Sequence, residues 1–111
     1  MAPYEIKYIE RKTGYSGDGP AWIGRVKKSK SGSTVYFNNK VLRKFNGVGA
    51  NHYDVETGEG YWVSGVKKDG CDRHWSGKGK ITIDRKVIDG YLAVIGANEL
   101  DTRNFVIADL L

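Results

Sequence analysis

Short runs in which apolar and polar residues alternate, separated by glycine- and asparagine-rich punctuation, fill most of this chain and predict strands. Over residues 4–12, Tyr4, Ile6 and Tyr8 alternate with Glu5 and Lys7, the period-two signature of a strand with one buried face. Residues 13–20 hold Gly14, Gly17, Gly19 and Pro20 and break that run; residues 21–28 resume it, with Trp22 and Val26 on one face. The turn Ser29-Lys30-Ser31-Gly32 leads into residues 33–37, which are dense in β-branched and aromatic side chains, so the pair predicts a hairpin. Asn38 and Asn39 tolerate positive φ, which suits a two-residue turn joining Tyr36-Phe37 to Val41-Leu42. After a loop over 46–50, residues 52–55 and 60–67 flank Glu56-Thr57-Gly58-Glu59 and form the clearest hairpin of the sequence. Residues 68–80 are polar, contain Gly70, Gly77 and Gly79, and read as an exposed loop interrupted by Trp75.

The period then changes. Ile81-Thr82-Ile83 reads as a strand that closes the sheet, and Asp84 as the N-cap of a helix presenting Val87, Ile88, Tyr91, Leu92 and Ile95 at three- and four-residue spacing. Gly90 weakens this helix, while Gly96 is placed to end it. Five or six short antiparallel strands plus one helix predict a mainly β fold: a small bent antiparallel sheet or partly open barrel, SH3-like or OB-like, with one C-terminal helix. The expected organisation is a single β-rich domain over residues 1–96, closed by the helix, followed by a tail over 97–111. Leu100, Phe105, Ile107 and Leu110 make that tail apolar enough to dock on the body, on another protein or on a second copy.

Composition narrows the class. A chain of 111 residues supports one modest core, and 15 glycines against two prolines fit many tight turns rather than disorder. No apolar run approaches the roughly 18–20 residues needed to cross a bilayer, and Met1-Ala2-Pro3-Tyr4-Glu5 lacks an apolar signal core, so no membrane partner is expected. One cysteine, Cys71, forms no internal disulfide and fits a reducing cytoplasm.

Charge changes the picture most. Residues 25–44 hold seven basic side chains (Arg25, Lys27, Lys28, Lys30, Lys40, Arg43 and Lys44) and no acid, a local charge of +7 within a net charge of +5. Residues 67–86 add Lys67, Lys68, Arg73, Lys78, Lys80, Arg85 and Lys86 against Asp69, Asp72 and Asp84, which leaves the rest of the chain acidic. Such a field favours an anionic partner, nucleic acid first; the plain alternative is a solvated basic face. The densest polar segment runs from Tyr61 through Trp62, Lys67, Lys68, Cys71, Asp72, Arg73 and His74 to Trp75. There Arg73 suits bidentate contact with phosphate or carboxylate, the lysines supply point charge, and Trp62 or Trp75 suits stacking on a base. The candidate anion site is therefore Arg25, Lys27, Lys28, Lys67, Lys68, Arg73, His74 and Trp75. A metal site gathering Cys71, His74, His52 and Asp72 lacks the paired spacing of zinc ligands, and Cys71 with His74 has no third group to orient it for nucleophilic work. Neither a metal, a cofactor nor a catalytic residue is expected.

Several blocks stand together: Gly19-Pro20-Ala21-Trp22-Ile23-Gly24-Arg25-Val26, Ser29-Lys30-Ser31-Gly32, Tyr53-Asp54-Val55-Glu56-Thr57-Gly58-Glu59, and Tyr61-Trp62-Val63-Ser64-Gly65-Val66-Lys67-Lys68-Asp69-Gly70, with Asp72-Arg73 after. Over roughly residues 4–95 they resemble a family of short bacterial proteins without established function, members of which carry the label 1-deoxy-D-xylulose-5-phosphate synthase. A synthase of that name is a thiamine-diphosphate enzyme several times longer, and its diphosphate and pyrimidine domains do not fit in 111 residues. Gly17-Asp18-Gly19 and Asn38-Asn39 echo its magnesium and diphosphate motif, but both fall at predicted hairpin turns and not in a parallel α/β sheet. The resemblance implies a folded domain and adds no activity.

Overall fold

The hairpin turns lie where asparagine and small polar residues supply the needed backbone. The computed structural model of the chain describes residues 4–12, 19–47, 49–68 and 80–110. Six strands make its body: β1 (Glu5–Arg11), β2 (Ala21–Lys28), β3 (Thr34–Phe37), β4 (Lys40–Lys44), β5 (His52–Asp54) and β6 (Gly60–Gly65). Asn38 and Asn39 sit at φ 47° and 65°, the paired left-handed geometry of a type I′ hairpin turn, whose twist matches the strands on either side. In the β2–β3 turn the Ser29 hydroxyl accepts from the Thr34 N–H at 3.1 Å, and in the β5–β6 turn the Asp54 carboxylate accepts from the Glu56 N–H at 2.9 Å.

Antiparallel pairing runs β2-β3-β4-β5-β6, and β1 pairs antiparallel with both β2 and β6, so these strands close on themselves. The mainly β barrel expected from the alternation is present, in a closed form rather than a partly open one. Inside it Ile9, Val26, Val35, Phe37, Leu42, Tyr61 and Val63 form one apolar cluster, with Trp22 at its margin.

A second cluster lies on the outer wall of β1 and β2. After β7 (Ile81–Asp84) come a 3₁₀ turn (Arg85–Val87), the helix α1 (Ile88–Ile95) and a further strand, β8 (Phe105–Ala108). Tyr8, Ala21, Ile23, Ile81, Ile83, Val87 and Tyr91 pack together there, each close to fully buried. Strands β1 and β2 are consequently covered on both faces. Glu10, in phase with Ile6 and Tyr8 on that outer face, is accordingly 2% exposed; its carboxylate accepts from the Tyr8 hydroxyl at 2.6 Å and from Lys12 Nζ at 3.1 Å. Gly90 lets α1 approach this wall, since a Cβ there would stand 2.7 Å from Ile6 Cδ1.

Two expectations need correction. The strand over 81–83 does not close the sheet: β7 runs parallel to β2, through Trp22 with Thr82 and Ile23 with Ile83, and β1 performs the closure. One edge of β2 forks, its first half bonding to β7 and its last two residues, Lys27 and Lys28, to Tyr36 and Val35 of β3. Gly24 occupies the fork, where a Cβ would lie 2.8 Å from Phe37 Cε1 and 3.4 Å from Leu110 Cδ1. Asp84 does cap, but it caps the 3₁₀ turn by accepting from the Lys86 N–H at 3.1 Å; the residue preceding α1 is Val87. Gly96, at φ 69°, ends the helix where expected.

Within 97–111, β8 adds parallel to β7 as the outermost strand, with Phe105 edge-on to Tyr91 at 5.5 Å. Leu100 packs on the outer cluster and Leu110 on the barrel interior, whereas Val106 and Ile107 are exposed. Among the described residues no helix is long and apolar enough to cross a membrane.

Candidate anion-binding cleft

Alternation along β2 divides the first basic stretch. Arg25 and Lys27 project from the outer face, while Lys28, one residue on, belongs to the opposite side and lines the barrel mouth with Lys7 and Lys44. Outside, Lys27 stands directly across from Tyr36 of β3. The chain entering β1 lays the Tyr4 ring beside both cations, 4.7 Å from the Arg25 guanidinium carbon and 5.5 Å from Lys27 Nζ. The type I′ turn and the first residue of β4 bring Asn39 and Lys40 to the same place. The result is an open cleft of about 380 Å³ lined by Tyr4, Arg25, Lys27, Tyr36, Asn39 and Lys40, among others.

Its aromatic rings are accessible, Tyr4 at 49% and Tyr36 at 47% exposed. Its cations differ in freedom. Arg25 Nε donates to the Asp84 carboxylate at 3.3 Å, and that carboxylate is 1% exposed, so one guanidinium edge is held and oriented by a buried anion. Among the described residues no carboxylate pairs with Lys27, Lys40 or Arg43. The same outer face continues across β4 and β5, where Arg43 stands opposite Tyr53 and Phe45 meets Tyr53 edge-on at 5.3 Å.

Of the eight residues expected to form one site, the five that the structure describes do not come together. Arg25 and Lys27 share the cleft; Lys28 lies at the barrel mouth, its ammonium 3.2 Å from the Glu5 carboxylate. That hydrogen bond, more than the neighbouring Lys7, holds the Glu5 carboxyl below the ordinary carboxylate range. Lys67 and Lys68 are exposed beyond the end of β6, which pairs with the edge of β1 opposite β2. Arg73, His74 and Trp75 lie outside the described residues, as do Cys71 and Asp72. The second basic stretch meets the first at one corner, where Asp84 joins Arg25 and is followed by Arg85 and Lys86; Arg85 Nε is itself 3.2 Å from Asp109.

Lys40 and Arg43 belong to the basic stretch over 25–44 but not to the eight-residue candidate site, and Tyr4 and Tyr36 belong to neither as site residues. Tyr36 and Arg43 sit at outward positions of strands that the alternation does identify, so their exposure was legible once the register was known. Tyr4 joins Arg25 only through tertiary pairing. Trp62, offered as a stacking residue, is 39% exposed on β6. No family model, curated protein or solved structure matches the chain.

Proposed function

We propose that this barrel is a non-enzymatic binding module that holds a single-stranded nucleic acid along the outer face of β2 to β5. The observation that carries the reading is the interleaving of accessible or half-buried rings with cations: Tyr4 against Arg25 and Lys27, Tyr36 across from Lys27, and Arg43 across from Tyr53, where among the described residues Lys27 and Arg43 have no carboxylate partner and Arg25 is held by Asp84. Single strands are held by such pairing, since every base offers a π-face to an aromatic ring and every nucleotide a phosphate to a cation. The cleft volume of about 380 Å³ falls within the roughly 300–1,000 Å³ of small-ligand pockets, enough for a nucleotide. A reading based on the apolar tail has less support, because Leu100, Phe105 and Leu110 pack on the chain's own cores.

Fluorescence anisotropy with a labelled oligothymidylate tests this. With Lys27, Lys40 and Arg43 each neutralising a phosphate, the log–log salt slope is about −2, so affinity falls about 20-fold from 50 to 200 mM salt. Lys27→Ala makes the slope shallower by about 0.7, whereas Tyr36→Ala lowers affinity about 5-fold or more at an unchanged slope. No binding at 20 mM salt, or full affinity in Tyr36→Ala, would refute the proposal.

A further inference from the structure

At the open end of the β3–β4 hairpin, away from its Asn38-Asn39 turn, the barrel mouth forms a second basic concavity of about 190 Å³. Lys7 of β1, Lys28 of β2 and Lys44 of β4 line it together with His52 of β5, Asn51 and Val35. We infer that this mouth is a site for one small tetrahedral oxyanion of the sulfate or phosphate class, and that binding is coupled to protonation of His52. The inference does not depend on the nucleic-acid reading, which uses the other face of β2.

Three features support it. The first is convergence of charge. Lys7 and Lys28 already reach one carboxylate, Glu5, at 3.4 and 3.2 Å through its two different oxygens, so their ammonium groups can meet around an anion of that size. Among the described residues Lys44 has no carboxylate partner, and three ammonium groups against one carboxylate leave the mouth positive. The second is size: the concavity lies below the roughly 300 Å³ at which pockets begin to admit drug-sized ligands, which favours an oxyanion over a base or sugar.

The third is a fixed histidine tautomer. Both polar atoms of the Asn51 amide are engaged by the Val63 backbone, Nδ2 donating to the carbonyl at 2.8 Å and Oδ1 accepting from the N–H at 2.8 Å. Asn51 Oδ1 is therefore an acceptor, and His52 Nδ1, 2.8 Å from it, must be the donor. In the neutral ring Nε2 then carries a lone pair; on protonation it becomes a donor suited to an oxyanion. The groups around His52 are Lys44 and Tyr61 from directly opposite on β4 and β6, and Lys28 of β2 and Lys7 of β1, which line the same concavity and both pair with Glu5. Burial first, and then Lys44 and Lys28, hold the imidazole neutral below its ordinary pH. An anion among those ammonium groups reverses the electrostatic part of that effect.

Sulfate is the appropriate probe, because it remains doubly charged across the range in which histidine titrates. In ¹H NMR titrations of the full chain at fixed ionic strength in chloride, sulfate is expected to raise the His52 midpoint. It should also bind at least about tenfold tighter at pH 5 than at pH 8, the low end of what one hydrogen bond to a charged group provides. His52→Gln identifies the resonance against His74 and flattens the pH dependence. Lys44→Ala, at an exposed position, weakens binding at both pH values, Glu5→Gln strengthens it, and Lys27→Ala leaves it unchanged. A His52 midpoint indifferent to sulfate, or undiminished binding in Lys44→Ala, overturns the inference.

Discussion

The pair formed by Arg25 and Asp84 makes an asymmetric prediction. Both partners lie at the fork of β2, but Asp84 is 1% exposed whereas the Arg25 side chain is 21% exposed and rests against the Tyr4 ring. Arg25→Ala strands a buried carboxylate whose remaining donor is the Lys86 N–H at 3.1 Å. Leaving one charge of a buried pair uncompensated costs about 3–5 kcal/mol, and the remaining hydrogen bond brings the expectation to about 3. Asp84→Asn keeps an acceptor for the cap and leaves a cation that reaches water, so about 1–2 kcal/mol is expected. In a domain of this size about 1 kcal/mol moves Tm by roughly 4 °C, so the two variants should melt about 12 °C and 4–8 °C below the parent. The double variant should be less destabilised than the sum of the singles by at least about 1 kcal/mol, because no buried charge survives in it. Urea denaturation followed by tryptophan fluorescence supplies the free energies. Asp84→Asn costing more than Arg25→Ala, or strict additivity in the double variant, would show that the buried carboxylate does not govern this corner.

Two further outcomes follow from the packing. Gly24→Ala places a methyl 2.8 Å from the Phe37 ring inside a filled barrel, so a loss of about 1–3 kcal/mol is expected, partly restored in Gly24→Ala with Phe37→Leu; an unchanged urea midpoint would mean that the fork has slack. His52 titrates below its ordinary value in the folded chain because it is buried. The unfolded chain therefore takes up the proton first, stability is complete above the unfolded value near pH 6.5, and it is lost as pH falls through the window beneath. His52→Gln should remove that component of the acid destabilisation in sulfate-free urea melts between pH 7.5 and 5.

Much of the barrel is written locally. Period-two alternation and β-branched density identify each of β1 to β4, the Asn-Asn step supplies the type I′ turn, and Glu56 to Glu59 joins β5 to β6, all of which depend on residues a few positions apart. Alternation also determines that Lys27 and Lys28 part company across the sheet, although a linear count of charge merges them. Other features were decided by pairing between distant segments. Parallel addition of β7 to β2, and of β8 to β7, requires no local turn and leaves no signature at either strand. Alternation puts Glu10 on the face of Ile6 and Tyr8, but that this face is an outer wall covered by distant elements, while Ile9 points into the barrel, follows only from the pairing of β1 with β2 and β6. The two basic concavities belong to this second class: Tyr4 reaches Arg25 and His52 meets Lys28 only because β1 closes the barrel, and closure is a property of the whole set of strands. Local pattern thus specifies a basic, mainly β chain built from hairpins, and its closure into a barrel comes from the long-range pairing of β1 with β2 and β6. The tertiary structure decided which of its cations would share a face.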